Sequence, residues 1–413
     1  MGQAPMLKNA GWLRDPQTMR VIAALQTGPA TVRFVGGCVR NSLLGDSVTD
    51  IDLATVHEPG ESTRLLSEAG IKVVPTGIEH GTVTAVVDGK SFEVTTLRAD
   101  IETFGRHAVV RFGQSWSEDA ARRDFTMNAI YADPDGTLFD PVGGVADAQA
   151  RRVRFIGQSD RRIKEDFLRI LRFFRFNAQY SNGEVDAEAL SACARNASGL
   201  SQLSGERIQG ELFKLLAAPA PGKWLAHMNE AGVLARVLPH ATLESIVSGR
   251  IDDLPPQLRR TGTRELALIR LCALLESREK SIDAVADALK LSNEAKTHLL
   301  AISAAQNAVS GKMNDADMRR ATYRHSGALR DAIAVAYFCG QVSRQEADRL
   351  LSFSWIPPRF PITGADVVAL GLAPGPDIGA VLKEVERWWI DQDFRPDERQ
   401  LAEYLGERVR LRK

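Results

Sequence analysis

Hydrophobic and polar positions change period once along the chain. Up to about residue 147, apolar residues come in short β-branched runs broken by Gly, Asp and Pro. The runs at 31–35, 51–54, 72–74, 82–87 and 91–96 read as strands, because such composition suits a pleated, half-buried surface. Residues 17–25 and 62–69 lie among them with helical spacing. From about Arg161 onward the spacing is helical almost throughout, most clearly at 163–178, 187–194, 206–216, 264–275 and 380–391. Breaks fall at 219–222, 252–256 and 357–361, and the Pro255-Pro256 stretch reads as a linker or exposed loop. Residues 97–107, with Arg98, Asp100, Glu102 and Arg106, read as a polar flexible loop and a candidate hinge. The expected architecture is an α+β first third followed by a long all-helical arm.

The length, 413 residues, suits two to three domains. Lys+Arg 52 and Asp+Glu 52 cancel, which excludes polycation behaviour as a property of the whole chain and directs attention to local patches. Cys38, Cys193, Cys272 and Cys339 are scattered, so neither a zinc site nor a disulfide framework is expected. No apolar run is long enough to cross a membrane, and the first residues lack the apolar stretch of a secretory signal; the expected location is cytoplasmic.

The first chemical signal is Gly36-Gly37-Cys38-Val39-Arg40 followed by Thr49-Asp50-Ile51-Asp52-Leu53. Side chains two apart on a strand share a face, about 7 Å along the backbone. Asp50 and Asp52 would converge there, with Ile51 and Leu53 turned into the core. Paired carboxylates on one face suit phosphoryl chemistry assisted by two divalent ions. A diglycine after a strand lets backbone approach a triphosphate, with Arg40 placed for phosphate oxygens. The plainer reading is a turn followed by solvated aspartates; the coupling to Gly36-Gly37 favours the chemical one. Glu93 is the candidate third carboxylate, with a solvated strand glutamate as the other reading.

The second signal is Arg122-Arg123-Asp124-Phe125-Thr126-Met127-Asn128, and the third runs from Arg161 to Arg175. Between Arg151 and Phe176, nine Lys/Arg face three Asp/Glu, a concentrated positive field. On a continuous helix, Asp166, Arg169, Arg172 and Arg175 would form a stripe that spirals by about 60° per step of three. Asp166 and Arg169 would then offer an acceptor and a planar donor fork to one base edge. Arg172 would reach phosphates or brace Arg169, and Arg175 would be structural or RNA-facing. Leu168, Leu171 and Phe174 would pack.

These residues, in this order, resemble the class II tRNA nucleotidyltransferase/poly(A) polymerase family, the CCA-adding enzymes. Asp140-Pro141-Val142-Gly143-Gly144, Glu206-Arg207-Ile208 and Pro361-Ile362-Thr363-Gly364-Ala365-Asp366 extend the likeness over nearly the whole chain. The resemblance implies a polymerase-beta-like nucleotidyltransferase head at 1–150, a helical neck at 151–218, a body at 219–350 and a tail at 351–413 that binds tRNA. It implies addition of C, C and A to the tRNA 3′ end from CTP and ATP without a nucleic-acid template, releasing pyrophosphate. Asp50 and Asp52 would hold Mg²⁺. Gly36, Gly37, Arg40 and Arg123 would contact the nucleotide, Asp166 and Arg169 would read its base, and Arg172 and Arg175 would belong to the same site. Where the family usually has Asp, this chain has Asn41, which keeps an acceptor but loses charge. A poly(A) polymerase, a CC-only or A-only enzyme, and a non-catalytic RNA-binding member remain as alternatives. The sequence leaves the oligomeric state open.

Overall fold

The computed structural model describes residues 6–7, 10–104, 107–239, 241–275 and 278–412, with side chains outside 99–111 and 278–279. The chain divides into two compact units, Met1–Pro239 and His240–Lys413.

The first unit is built on strands β1 (Val32–Val35), β2 (Ile51–Thr55), β3 (Lys72–Gly77), β4 (Thr82–Val87), β5 (Lys90–Thr96), β6 (Arg98–Phe104), β7 (His107–Phe112), β8 (Tyr131–Ala132) and β9 (Leu138–Phe139). Seven of them form one sheet in the order β3-β4-β5-β2-β1-β8-β9, and β6 and β7 form a separate ribbon. Neighbours in the large sheet are antiparallel except β2 and β5, which run parallel with Asp52 opposite Glu93. Strand alternation decides which face is covered. Val83, Ala85 and Val87 on β4, and Phe92, Val94 and Thr96 on β5, are buried. Among α1 (Pro16–Leu25), α2 (Gly37–Leu44) and α3 (Pro59–Glu68), α1 packs against β4, and α3 against β4 and β5. Lys90 fastens the start of β5 to Asp15, just before α1, at 2.7 Å.

The helices of this unit continue as α4 (Trp116–Ala121), α5 (Gly144–Gln149), α6 (Ser159–Glu165), α7 (Leu168–Tyr180), α8 (Ala187–Asn196) and α9 (Gly205–Leu216). α7 packs on α9 and α6 on α8. The second unit is helical among its described residues, and its C-terminal part closes on Val367, Val381, Val385, Trp389, Leu401 and Leu405.

Three expectations are corrected. The stretch at 97–107 is not a loop: β6 pairs with β7 from Arg98 opposite Phe112 to Phe104 opposite His107, with a bulge between Asp100 and Glu102. The β-branched run that follows at 107–112 supplies the partner, and paired backbone groups outweigh the polar side chains. Gly105 and Arg106 lie outside the described residues. Of the two readings of the Pro255-Pro256 stretch, the linker falls, because it lies within the second unit, while the loop stands, with Asp253 and Pro256 exposed. There Ile251 and Leu258 are buried, and Asp253 binds Arg344 at 2.5 Å. The long helix expected at 163–178 is two helices. Asp166 between them is extended, with φ −156° and ψ 107°. Its own carboxylate causes this, because Oδ1 accepts from Leu168 N at 3.1 Å and so competes with a continuous helix.

Candidate active site

The sheet brings the first signal together as its spacing implied. Ile51 and Leu53 are buried at 3% and 0% exposure, which turns Asp52 to the opposite face. Asp50 stands exposed just before β2, its Oδ2 accepting from Thr49 Oγ1 at 2.9 Å. Val35 lies opposite Asp52 on the β1 side and Glu93 on the β5 side. Burial pushes the Asp52 carboxyl up to about 6, aided by the Glu93 and Asp50 charges and opposed by Arg123 and Arg40. At neutral pH, then, Asp52 is ionised at a cost to the fold, which a cation would relieve.

Gly36 joins β1 directly to the start of α2. Its φ of +72° is a left-handed conformation that a side chain resists, and a Cβ there would lie 3.9 Å from Asp52 Oδ2 and 4.0 Å from Arg123 Nη1. The carboxylate and the guanidinium therefore flank one glycine. Arg123 is held from behind. Its Nη2 donates to Asp119 Oδ2 at 3.0 Å and its Nε to the Tyr131 hydroxyl at 3.1 Å, while that hydroxyl donates to Asp119 at 2.7 Å. Burial alone would raise the Asp119 pKa, but Arg123 and Arg122 outweigh it and hold the carboxyl down to about 2.

Among the described residues, no three acidic, histidine or cysteine side chains form a ready-made metal cage. A divalent ion that keeps waters and binds through one or two carboxylates plus substrate phosphates needs no such cage. Asp50 and Asp52 have the right chemistry for such a partial site, and the mutual repulsion of Asp52, Asp50 and Glu93 gives the physical reason for a cation there.

Arg40 lies deeper than the sequence suggested, at 6% exposure. Its Nε and Nη2 donate to Asn41 Oδ1 at 3.1 and 2.9 Å, Nη2 also to the Tyr180 hydroxyl at 2.8 Å, and Nη1 to Asn128 Oδ1 at 2.5 Å. Every one of these acceptors is neutral. Burial lowers the Arg40 pKa, with Arg175 and Arg172 adding to the effect and Tyr180 and Asp124 partly offsetting it. Asn41 is well placed as an amide: its oxygen serves Arg40 while its nitrogen donates to Ser47 O at 2.9 Å, which a carboxylate would not do.

From Arg40 a continuous chain of contacts crosses the unit. Asn128 donates to Asp124 at 3.0 Å, and Asp124 accepts from Arg172 Nε at 2.7 Å. Arg172 lies 3.6 Å from Glu211, which accepts from Arg175 Nε at 2.6 Å. Asp124 stays ionised because Arg172 and Asn128 overcome the burial that would protonate it. The Asp-Pro-Val-Gly-Gly segment packs against the turn that carries Asn128, at Thr126. Asp140 caps α5 by accepting from the Gly144 and Val145 amides at 2.7 and 2.9 Å. Gly144 then sits so near Thr126 that a Cβ would come within 2.0 Å of its carbonyl oxygen.

Asp166 and Arg169 lie on adjoining parts of the helix break, each held by a different partner. Asp166 Oδ2 accepts from Arg207 Nη2 at 2.7 Å, and Arg169 Nη1 donates to Glu165 at 2.6 Å. Arg169 Nη2 also donates to Arg122 O at 3.3 Å, and Arg162 reaches the carbonyls of Arg122 and Arg123. The spiral stripe is thus corrected: Arg169, Arg172 and Arg175 share α7, but Asp166 stands outside it, freed to turn toward α9. The positive excess is partly matched from outside the segment, by Asp147 against Arg154, Asp124 against Arg172 and Glu211 against Arg175. Leu171 and Phe174 are buried as expected, and Leu168 is half-buried. Glu211 and Asp119 had no local signal as partners; the alternation of α9 buries Glu211, but only the fold says that arginines meet it.

The comparisons agree with this geometry. A family profile described as "Poly A polymerase head domain" matches residues 32–154, and one described as "Probable RNA and SrmB- binding site of polymerase A" matches 184–244. The mitochondrial CCA tRNA nucleotidyltransferase 1 of Mus musculus is 34% identical over 91% of this chain and 86% of its own length. The CCA-adding enzyme of Geobacillus kaustophilus is 31% identical over 95% and 97%. The crystal structure of the Bacillus stearothermophilus CCA-adding enzyme in complex with CTP superposes with a TM-score of 0.80 at 27% identity, covering 98% of this chain and 99% of that one. With a carboxylate-bearing mixed sheet, a glycine turn beside it and relatives matched over nine-tenths of its length, this chain belongs to the family of CCA-adding tRNA nucleotidyltransferases.

Proposed function

We propose that this chain adds C, C and A to the 3′ end of tRNA, taking CTP and ATP without a nucleic-acid template and releasing pyrophosphate. The observation that carries the reading is Asp52, set between Gly36 and Arg123 on one side and Glu93 on the other. Asp50 and Asp52 would hold Mg²⁺, which when bound polarises the α-phosphate and lowers the pKa of the attacking hydroxyl. Gly36 and Gly37 let the triphosphate approach the backbone, and Arg123 offsets its charge. Arg40 is a buried positive charge on α2 with neutral hydrogen-bond acceptors; Arg172 and Arg175 hold α7, which carries Arg169, in register with it, while Asp166 stands at the break before it. Asp166 accepts from, and Arg169 donates to, the base edge, with Glu93 beside the attacking hydroxyl. The assignment of 1–150 as head, 151–218 as neck, 219–350 as body and 351–413 as tail accompanies this reading. No described helix is long and apolar enough to cross a membrane. We assign the cytoplasm, a reducing compartment that suits buried thiols such as Cys38 and Cys193.

The test is tRNA lacking its last three nucleotides, incubated with Mg²⁺, CTP and ATP. The wild type restores three nucleotides and stops; Asp52→Ala adds none while still binding tRNA. Long A tracts would replace this reading with poly(A) addition, and an inactive wild type that binds tRNA would leave a binding protein.

A further inference from the structure

The sheet face that carries Asp52 continues away from β1 as a partly exposed surface of hydroxyls, with Val74 and Val86 among them. Thr84 lies opposite Glu93, and Thr82 opposite Thr95. Ser91 and Glu93 are exposed, while Thr82, Thr84 and Thr95 are half-buried. The Thr82 and Thr95 hydroxyls bond to each other at 3.0 Å, and Thr76 bonds to Thr84 at 2.7 Å. Two hydroxyls sharing one hydrogen keep a second hydrogen and spare lone pairs between them. Each pair is therefore a donor and acceptor at once. Exposed Lys72, on the same face of β3, is the positive charge at the outer edge.

Position gives this face a role. Gly36 and Arg123 flank Asp52 from the β1 side, so the leaving end of a triphosphate lies there. In-line displacement puts the attacking oxygen on the opposite side of the phosphorus. On β2 the opposite side is β5, then β4. The geometry points to the hydroxyl-lined face of β3, β4 and β5 as the seat of the RNA acceptor terminus, with Thr84 and Thr95 engaging the sugar hydroxyls and phosphate of its last nucleotides. A ribose 2′-OH both donates and accepts, as these pairs do, whereas a deoxyribose offers neither. A neutral hydroxyl surface also lets a ribose approach three carboxylates where a basic surface would be neutralised by them. Thr is favoured in strands anyway, so composition alone assigns nothing; continuity with Asp52 and Glu93 does.

This inference rests on the proposed reading, and the experiment separates the two. The double variant Thr84→Val, Thr95→Val keeps β-branching and volume while removing both hydroxyls. Its substrate is an acceptor-stem RNA lacking the last three nucleotides, with either a ribose or a 2′-deoxyribose at its end. The expected result is a KM for this RNA raised about tenfold, corresponding to two lost hydrogen bonds, with the KM for CTP unchanged. Direct binding of the RNA without nucleotide weakens to the same degree. The penalty for the deoxyribose end, present in the wild type, disappears in the variant. Unchanged RNA binding and an undiminished deoxyribose penalty overturn the inference, as does a variant whose CTP KM rises instead. A wild type that adds no nucleotide sinks the proposed activity, while the binding arm still decides whether this face holds RNA.

Discussion

Asp119 shows how a residue remote from any reacting atom sets the chemistry of one beside it. Its side chain is 1% exposed and receives Arg122, Arg123 and the Tyr131 hydroxyl. Because its folded pKa is depressed to about 2 from an ordinary 3.8, its stabilisation is complete above the unfolded value and is lost as pH falls through that window. Asp119→Asn is expected to cost about 3 kcal/mol at pH 7, since it leaves a largely buried Arg123 without its counter-charge. Thermal melts from pH 7 to pH 2.5 check this. The gap between variant and wild type should narrow toward the acid end, and a gap independent of pH would mean that packing, not charge, holds the site. At this scale residue type and spacing singled out Asp50, Asp52 and Arg123, and the fold sets Asp52 and Arg123 on either side of Gly36. It was silent on Asp119 and Glu211, because a counter-charge is chosen by three-dimensional neighbourhood.

Elements were legible where local pattern and tertiary packing agree. The strands at 82–87 and 91–96 follow from their β-branched composition and breakers, and the helices over 206–216 and 380–391 from period, the latter starting a turn earlier at Pro376; each has one covered face. The helix break at Asp166 was not legible, because the apolar period runs on through it; a single side chain bonding to Leu168 N decides it. The short strands β8 and β9 were missed for another reason. Two residues each are too few to show alternation, yet they carry Tyr131 and extend the sheet beyond β1. The turn into α5 makes a test at this scale. Gly144→Ala must push the Thr126–Asn128 segment away and should cost about 1–3 kcal/mol as an overpacked contact. Since Asn128 moves with that segment, the KM for CTP should rise as well. Steady-state kinetics beside denaturant unfolding check both; a stability loss with unchanged CTP KM would confine Gly144 to folding.

At the scale of the molecule, zero net charge conceals a strongly organised interior. The count of nine cations against three anions between Arg151 and Phe176 suggested a concentrated positive field. Much of it is spent on carboxylates supplied by distant segments, Asp124 and Glu211 among them. What links Tyr180, Arg40, Asn128, Asp124, Arg172, Glu211 and Arg175 is one line of donors and acceptors spanning three helices and the loop before β8.

Such a line has a genetic consequence. A defect at either end already slackens the whole, so a second defect at the far end has less left to disturb. Arg40→Lys and Glu211→Gln, each harmful alone, should together raise the CTP KM by less than the product of their separate effects, and a double-mutant cycle measures the shortfall. Epistasis of this kind would tie the histories of positions 171 residues apart, so that drift at one is tolerated only after a matching change at the other.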